Sequence, residues 1–377
     1  MLVNVIKTKF MVYGHIDNVN IYLDGKPIEQ VKQYKSLGII LNTIESSNGN
    51  IFRCNPEYLN DKARKAIFGI QRKLKYVSHI SPKVMFHLFE TLVQPILLYG
   101  SDIWGSYTQC TKDIDTVFMW FIRGVLRIKP TTCNIITIGE AGMIPPSVKC
   151  HENVVLNFIR LNCMSKGSVV KSIFDELQSF HNVGIKCWYS GVLELGKTYG
   201  IDPLSYDYSE STKRNIKTIF RNHFIRNWKL DIQNHYKYPI LRIYNRIKHD
   251  FGYEQYMSLI SNKKYRIAMT RFRASSHSLE VERGRYTIPV TPIINRLCHR
   301  CGVIEDELHF LLNCRLYDAD RHTLFDKILG IHPNFTSLAD PNKFVFLLSN
   351  KEARILTWVG KFIYDSFNKR TEYHSSI

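Results

Sequence analysis

YLNDKARKAIFGIQRKLKYV, residues 58–77, decides the class of fold. Ala63, Ile67, Ile70 and Leu74 recur at intervals of three and four and share one side of a helix. Lys62, Arg64, Lys65, Arg72, Lys73 and Lys75 take the other sides. Upstream the period is two: VNVIKTKFMVY (3–13) and NVNIYLDGKPIEQV (18–31) alternate apolar and polar residues, and Asp24-Gly25 signals a hairpin turn. Lys35–Leu41 reads as one short apolar strand. Downstream, PKVMFHLFETLVQPILLYGSDIW (82–104) is apolar enough for a buried helix, opened by Pro82 behind Ser81 and kinked at Pro95.

A third helix is predicted over Asp113–Arg127, with Phe118, Trp120 and Phe121 supplying bulk. Lys129-Pro130 and Pro145-Pro146 bracket a loop or turn-rich stretch. Further helices follow to about residue 270, broken near Gly200–Pro203 and Tyr238-Pro239. From Lys263 the chain turns basic and loop-rich, and a last helix covers roughly Asn350–Asn368. The expected fold is α+β and mainly α, divided at 1–45, 52–130, 147–260, 261–340 and 341–377.

With 45% hydrophobic and 22% charged residues, the 377-residue chain reads as globular, with enough length for more than one folding unit. Lys and Arg exceed Asp and Glu by 51 to 33, a net +18. That surplus favours a polyanionic partner, because neutralised phosphates release condensed counterions; the plainer alternative is a basic protein with no specific partner. Neither an amino-terminal signal nor an apolar run of about 20 residues is found, so no membrane role is expected. The nine cysteines show no disulfide-style spacing, which points to a reducing cytoplasm or nucleus.

The sharpest chemical signal is Cys298-x-x-Cys301, then His309 and Cys314. Two thiolates separated by two residues can clamp one ion from a tight turn, and Gly302 suits that turn. EDELHFLLNC reads as a short helix presenting His309. Four protein ligands predict a closed, structural zinc site. Between the ligands, Glu305, Asp306 and Glu307 read as helix amino-terminal charge and solvated surface. Just upstream, Lys263, Lys264, Arg266, Arg271, Arg273, Arg283 and Arg285 interleave with Phe272 and Tyr286. Arginine forks could meet phosphates there while rings stack on bases; equally, the stretch could be a solvated helical face partly neutralised by Glu280 and Glu282.

Gly191-Val-Leu-Glu-Leu-Gly196-Lys197-Thr198 matches a phosphate-binding loop letter for letter. Its apolar interior continues a helical pattern, and Gly200 and Pro203 end that helix, so a helix carboxy-terminus is predicted instead. No Asp-Asp pair occurs anywhere, and Tyr317-Asp318-Ala319-Asp320 sits in polar, helical surroundings. No catalytic centre is predicted, and no small-molecule substrate is expected.

Four stretches, in order, resemble reverse transcriptases of non-LTR (LINE-like) retrotransposons. Asn4-Val-Ile-Lys7-Thr8-Lys9 with FMVY resembles the palm segment after the catalytic strand, and Tyr34-Lys35-Ser36-Leu37-Gly38 the primer grip. KARKAIFGIQRKL and LFETLVQPILLYGSDIWG are similar to the thumb. HSLEVERGRY, CHRCG and EDELHFLLNC, with the Tyr and Arg beyond, resemble the zinc knuckle and its arginine-rich approach. The resemblance implies a palm remnant, a helical thumb-like region, connecting helices and a zinc-knuckle region. It implies Cys298, Cys301, His309 and Cys314 as zinc ligands, and RNA or DNA as partner. Lys62, Lys65, Arg72 and Lys73 join the basic residues upstream of the knuckle as candidate contacts. The catalytic aspartates of the family fall outside these residues, so the expected role is binding. Alternatives are a polymerase part active only with an amino-terminal half, and a helical interaction protein stapled by zinc.

Overall fold

Two left-handed residues start the architecture. Asp24 and Gly25 (φ 49° and 72°) turn Tyr22–Leu23 back onto Lys26–Pro27, as their sequence predicts. The computed structural model describes residues 8–13, 19–43, 50–77, 80–234 and 240–376. Asn4–Lys7 and the predicted break at Tyr238-Pro239 lie outside these. Lys9–Phe10 pairs in parallel with Glu29–Gln30.

The Lys35–Leu41 run is not one strand. It reverses at Leu37 and Gly38 (φ 46° and 89°), so that Gln33–Ser36 pairs antiparallel with Ile39–Asn42. Tyr99 holds this turn, its hydroxyl donating to the Leu37 carbonyl at 2.7 Å. A Cβ on Gly38 would sit 3.0 Å from the Tyr99 ring. Asn55 then ties hairpin to helix by accepting the Ile40 amide at 3.0 Å.

Helices make up most of the rest, so the fold is α+β and mainly α. In Asn55–Lys73, Pro56 sits in the first turn, where its missing N–H costs nothing; Leu59, Ala63 and Ile67 are buried, while Ile70 and Leu74 are half-buried. The break predicted at Pro95 takes a definite form. Pro82–Leu88 continues into a wide π-helical turn, Phe89–Val93, before Gln94–Leu97 resumes α geometry. Proline cannot donate to the preceding turn, and widening the ladder absorbs that loss.

The bracketed stretch between the prolines is a correction: Asn134–Ala141 is a helix, ended by left-handed Gly142. NIITIGEA has weak helix propensity, but Gly139 leaves room for Trp228, whose ring would lie 2.5 Å from a Cβ there. Pro146 opens the next helix, Pro146–Asn162, whose amino-terminal groups Ser147 N and Oγ donate to the Asp115 carboxylate at 3.0 and 2.6 Å. The phosphate-loop lookalike is helical, Trp188–Tyr199, with Gly200 (φ 68°) at its left-handed end. Its backbone amides are therefore inside a helix and cannot cradle a phosphate.

The chain forms two compact units. One comprises Met1–Tyr76, Leu88–Phe118 and Ile144–Phe224; the other Val77–His87, Met119–Met143 and Ile225–Ile377. The first centres on Phe158, Phe174, Tyr189 and Val192, with Phe158 and Tyr189 rings 4.8 Å apart. The second packs Phe272, Phe310, Tyr317 and Phe367 together, with Phe310 and Phe367 stacked at 4.7 Å. Gly360 lets the final helix, Ala353–Ser375, approach the backbone of Tyr265 in the helix Lys263–Arg273.

Gly142 and Gly200 separate conformational strain from crowding. Gly200→Ala meets open space and should lose about 1–2 kcal/mol from the left-handed backbone alone. Gly142→Ala should lose clearly more, because its Cβ would lie 2.1 Å from the Tyr253 amide nitrogen. Urea unfolding of both variants checks this, and equal losses would refute the crowding argument.

Candidate metal centre

The centre is assembled from two short pieces of backbone. Leu297 and Ile304 form an antiparallel bridge, and between them Cys298 accepts the Gly302 amide at 2.8 Å and donates its own to Val303 at 2.7 Å. Gly302 (φ 70°) closes this knuckle, as its position after the second cysteine predicts. The second piece is the π-helical turn His309–Asn313. Asp306 accepts the His309 amide at 2.8 Å, and the Cys314 amide donates to the His309 carbonyl at 2.7 Å, bringing the fourth side chain round.

The four predicted ligands converge. One donor atom from each of Cys298, Cys301, His309 and Cys314 lies within 4.8 Å of the others. Cys314 Sγ is 3.8 Å from that of Cys298 and 3.9 Å from that of Cys301. Bonds of about 2.3 Å to a tetrahedral ion separate its sulfurs by about 3.8 Å, so the spacing fits a shared ion. It is far too long for a disulfide, and the thiols are free. His309 Nε2 is buried without a hydrogen-bond partner, a costly state that a ligand would relieve. Within the cluster, the Cys314 thiol bonds to Cys298 and lowers its pKa, while Cys298 raises that of Cys314. The residues present therefore can hold a metal ion, and with all four bound no coordination position stays open.

Around the ligands, arginines fix the backbone. Arg321 donates to the carbonyls of Leu311 and Cys314 at 3.1 and 2.6 Å and is steadied by Asp318 at 2.5 Å. Arg370 makes a fork to both oxygens of Glu305, at 2.8 and 2.7 Å. Arg242 and His277 reach Glu307 at 2.5 and 3.3 Å. Burial alone would raise the Glu307 carboxyl, but His277 and Arg242 outweigh it and bring it down to about 2. This corrects the reading of Glu305 and Glu307 as solvated surface: both are buried, while Asp306, half-buried, supplies helix amino-terminal charge by accepting the His309 amide.

The basic lead-in divides. Lys263, Lys264, Arg271 and Arg283 are exposed, the last paired with Glu280 at 3.3 Å. Arg266 is half-buried against the Ile260 carbonyl, and Arg285 is paired with Glu282 at 3.2 Å. Arg273 is a correction, since its side chain is fully buried. It bonds Glu140 at 3.0 Å, Glu254 at 2.7 Å and the Leu348 carbonyl, so no phosphate can reach it. Burial would raise the Glu140 carboxyl, but the Arg273 guanidinium holds it below its usual range. Lys62, Lys65, Arg72 and Lys73 are all exposed, and Lys62 lies over the Tyr58 ring at 4.6 Å. A further basic stripe is absent from the sequence-based expectation: Arg214, Lys217 and Arg221 are exposed on the helix Glu210–Gln233. Their i, i+3, i+7 spacing in ESTKRNIKTIFRN is the signal that could have found them.

Fold and site together define a mainly helical protein with a Cys3His cluster able to hold a metal. No family model matches the chain, and no match was found among curated proteins. Among the described residues no helix is long and apolar enough to cross a membrane.

Arg273→Ala should destabilise the fold by about 3–5 kcal/mol, because it leaves Glu140 buried without its cation. Neighbouring Arg271→Ala, exposed and bonded to the Arg127 carbonyl, should cost less than about 1 kcal/mol. Denaturation midpoints of the two variants decide, and similar midpoints would mean that Arg273 is not the partner on which Glu140 depends.

Proposed function

We propose that this chain is a zinc-stapled nucleic-acid-binding module, derived from the carboxy-terminal part of a retrotransposon-type reverse transcriptase. The observation that carries the reading is the convergence of Cys298, Cys301, His309 and Cys314 at tetrahedral spacing. Three thiolates and an imidazole suit zinc among the common divalent ions. Zinc bound there supplies folding energy and no chemistry. Arg321 and Arg370 would orient the ligand-bearing backbone, as outer-shell groups do.

Nucleic acid as partner is supported by the +18 charge and the exposed cations on two helices. Lys62, Lys65 and Arg72 on Asn55–Lys73, and Arg214, Lys217 and Arg221 on Glu210–Gln233, are spaced for phosphates along a strand. The order of the four family-like stretches supports the ancestry, and RNA-directed DNA polymerisation would need aspartates supplied from elsewhere. A reducing cytoplasm or nucleus keeps the thiols available to zinc and holds the polyanion. One observation favours the second reading, a zinc-stapled helical interaction protein: Arg273 is buried, and Arg283 and Arg285 are paired with acids.

Purified protein should carry one zinc per chain, and Cys301→Ser should abolish it while loosening residues 295–320 and sparing the Asp24-Gly25 hairpin. Metal analysis with hydrogen exchange reads both effects; protein free of zinc after purification without chelator would end the proposal. RNA affinity should fall steeply with salt. Lys62→Ala with Lys65→Ala and Arg72→Ala should flatten the logarithmic slope by about one for each phosphate no longer neutralised. Zinc without RNA affinity at low salt would select the second reading.

A further inference from the structure

Residues 283–304 contain no Asp or Glu, while Arg283, Arg285, Arg296, His299 and Arg300 lie among them. The fold turns this segment inside out. Its polar groups bond inward: the Thr291 amide donates to the Gly284 carbonyl at 3.0 Å, and the Thr287 and Thr291 hydroxyls meet at 2.8 Å. Arg296 is buried beneath, donating to the Thr291 carbonyl at 2.9 Å and the Val281 carbonyl at 2.6 Å. Gly284 packs so closely on Arg296 that a Cβ would lie 2.7 Å from its Nε. What faces solvent instead is apolar: Tyr286, Ile288, Val290, Ile293, Ile294 and Val303 are all exposed, and Ile288 completely so. The Leu297–Ile304 bridge joins the loop to the knuckle that carries Cys298 and Cys301.

Held in this shape beside the knuckle, the side chains stay outward, and an apolar patch of this kind marks a contact surface. The charge around it selects the contact. Arg300 is exposed and no acid lies within the segment, which suits a polyanion that also offers apolar faces. Single strands are held mainly by aromatic stacking, and Tyr286 is the one aromatic ring of Phe, Tyr or Trp in the segment. Branched aliphatic side chains flanked by arginines are instead the kind that push between base steps of a duplex. Separating stacked bases is easiest where the stack is already interrupted.

We infer that the loop Gly284–Thr291 and the adjoining Ile293 and Ile294 form an aliphatic wedge that engages duplex nucleic acid at an interrupted step, such as a gap, with Arg300 on a flanking phosphate. This rests on the nucleic-acid-binding reading above and adds the feature that is bound.

The test uses the full zinc-loaded chain and a short DNA duplex, either intact or carrying a one-nucleotide gap with 2-aminopurine beside it. Wild type should prefer the gapped duplex by about tenfold and brighten the 2-aminopurine as it unstacks. Ile288→Ser with Val290→Ser, both exposed, should keep zinc content, thermal midpoint and salt-dependent affinity for intact duplex while losing the preference and the brightening. Ile294→Ser should lose part of both. Unchanged preference and brightening in the variants would overturn the wedge and leave nucleic-acid binding intact. No affinity of wild type for either duplex or for RNA would overturn the binding reading itself, and the wedge with it. Vesicles of phosphatidylserine and phosphatidylcholine provide the third arm: recruitment that disappears in the variants, with DNA binding unchanged, would overturn the wedge and assign the loop to an anionic membrane surface instead.

Discussion

The guanidinium of Arg273 lies wholly inside the second unit, and a charge there is tolerable only because Glu140 and Glu254 meet it. Those three residues come from the helix Asn134–Ala141, the segment after Leu241–Ile247 and the helix Lys263–Arg273, so satisfying one charge fixes three backbones. Tyr256 adds its hydroxyl to Glu140 at 2.5 Å, and the Leu348 carbonyl takes another guanidinium N–H. The same device recurs towards the metal cluster, where Arg370 meets Glu305 and Arg242 meets Glu307. Replacing such pairs by apolar residues can be neutral for stability, so their contribution is directional: each guanidinium accepts few alternative partners.

That device explains what the sequence shows and what it hides. Cys298, Cys301, His309 and Cys314 are legible because all four lie in one short stretch and chelation imposes a spacing. Asp24-Gly25 and the Ala63–Ile67 face are legible for the same reason, being local consequences of turn chemistry and helical period. Arg273, Glu305 and Glu307 are not, since their partners stand 133, 65 and 65 residues away, and each charge read alone looks solvated. Asn134–Ala141 is hidden similarly. Its residues favour helix weakly, and the packing of Trp228 against Gly139 stabilises it from a distance. Leu37-Gly38 lies closer to legibility, because a glycine inside an apolar run can mark a reversal as well as a bulge.

Burying arginines also redistributes the positive charge available to a partner. Arg273, Arg296, Arg321 and Arg370 are engaged with interior carboxylates or carbonyls, so the net charge overstates what the arginine-rich approach to the knuckle presents. Regularly spaced Lys and Arg side chains stay exposed on two helices, Asn55–Lys73 and Glu210–Gln233. Under the proposed function, regular spacing on a rigid helix would suit a repeating phosphate backbone better than a single anion.

The knuckle poses a separate stability problem, and an ion bound by the Cys3His cluster would answer it. Between Tyr286 and Ile304 most large apolar side chains point to solvent, so this stretch buries little surface of its own. Its inward bonds, Thr287 to Thr291 and Arg296 to two carbonyls, would each add only about 0.5–1.5 kcal/mol net. Ordering a residue's backbone costs about 1–2 kcal/mol, so those bonds alone cannot hold so many residues in one conformation. A structural zinc site contributes apparent binding energies of about 10–16 kcal/mol in small peptides, enough to offset such a deficit. A metal at Cys298, Cys301, His309 and Cys314 would thus free the neighbouring aliphatic side chains from core duty and let them face outward as a contact surface. Without the ion, the same side chains would gain by collapsing inward, and the loop shape would be lost along with the cluster.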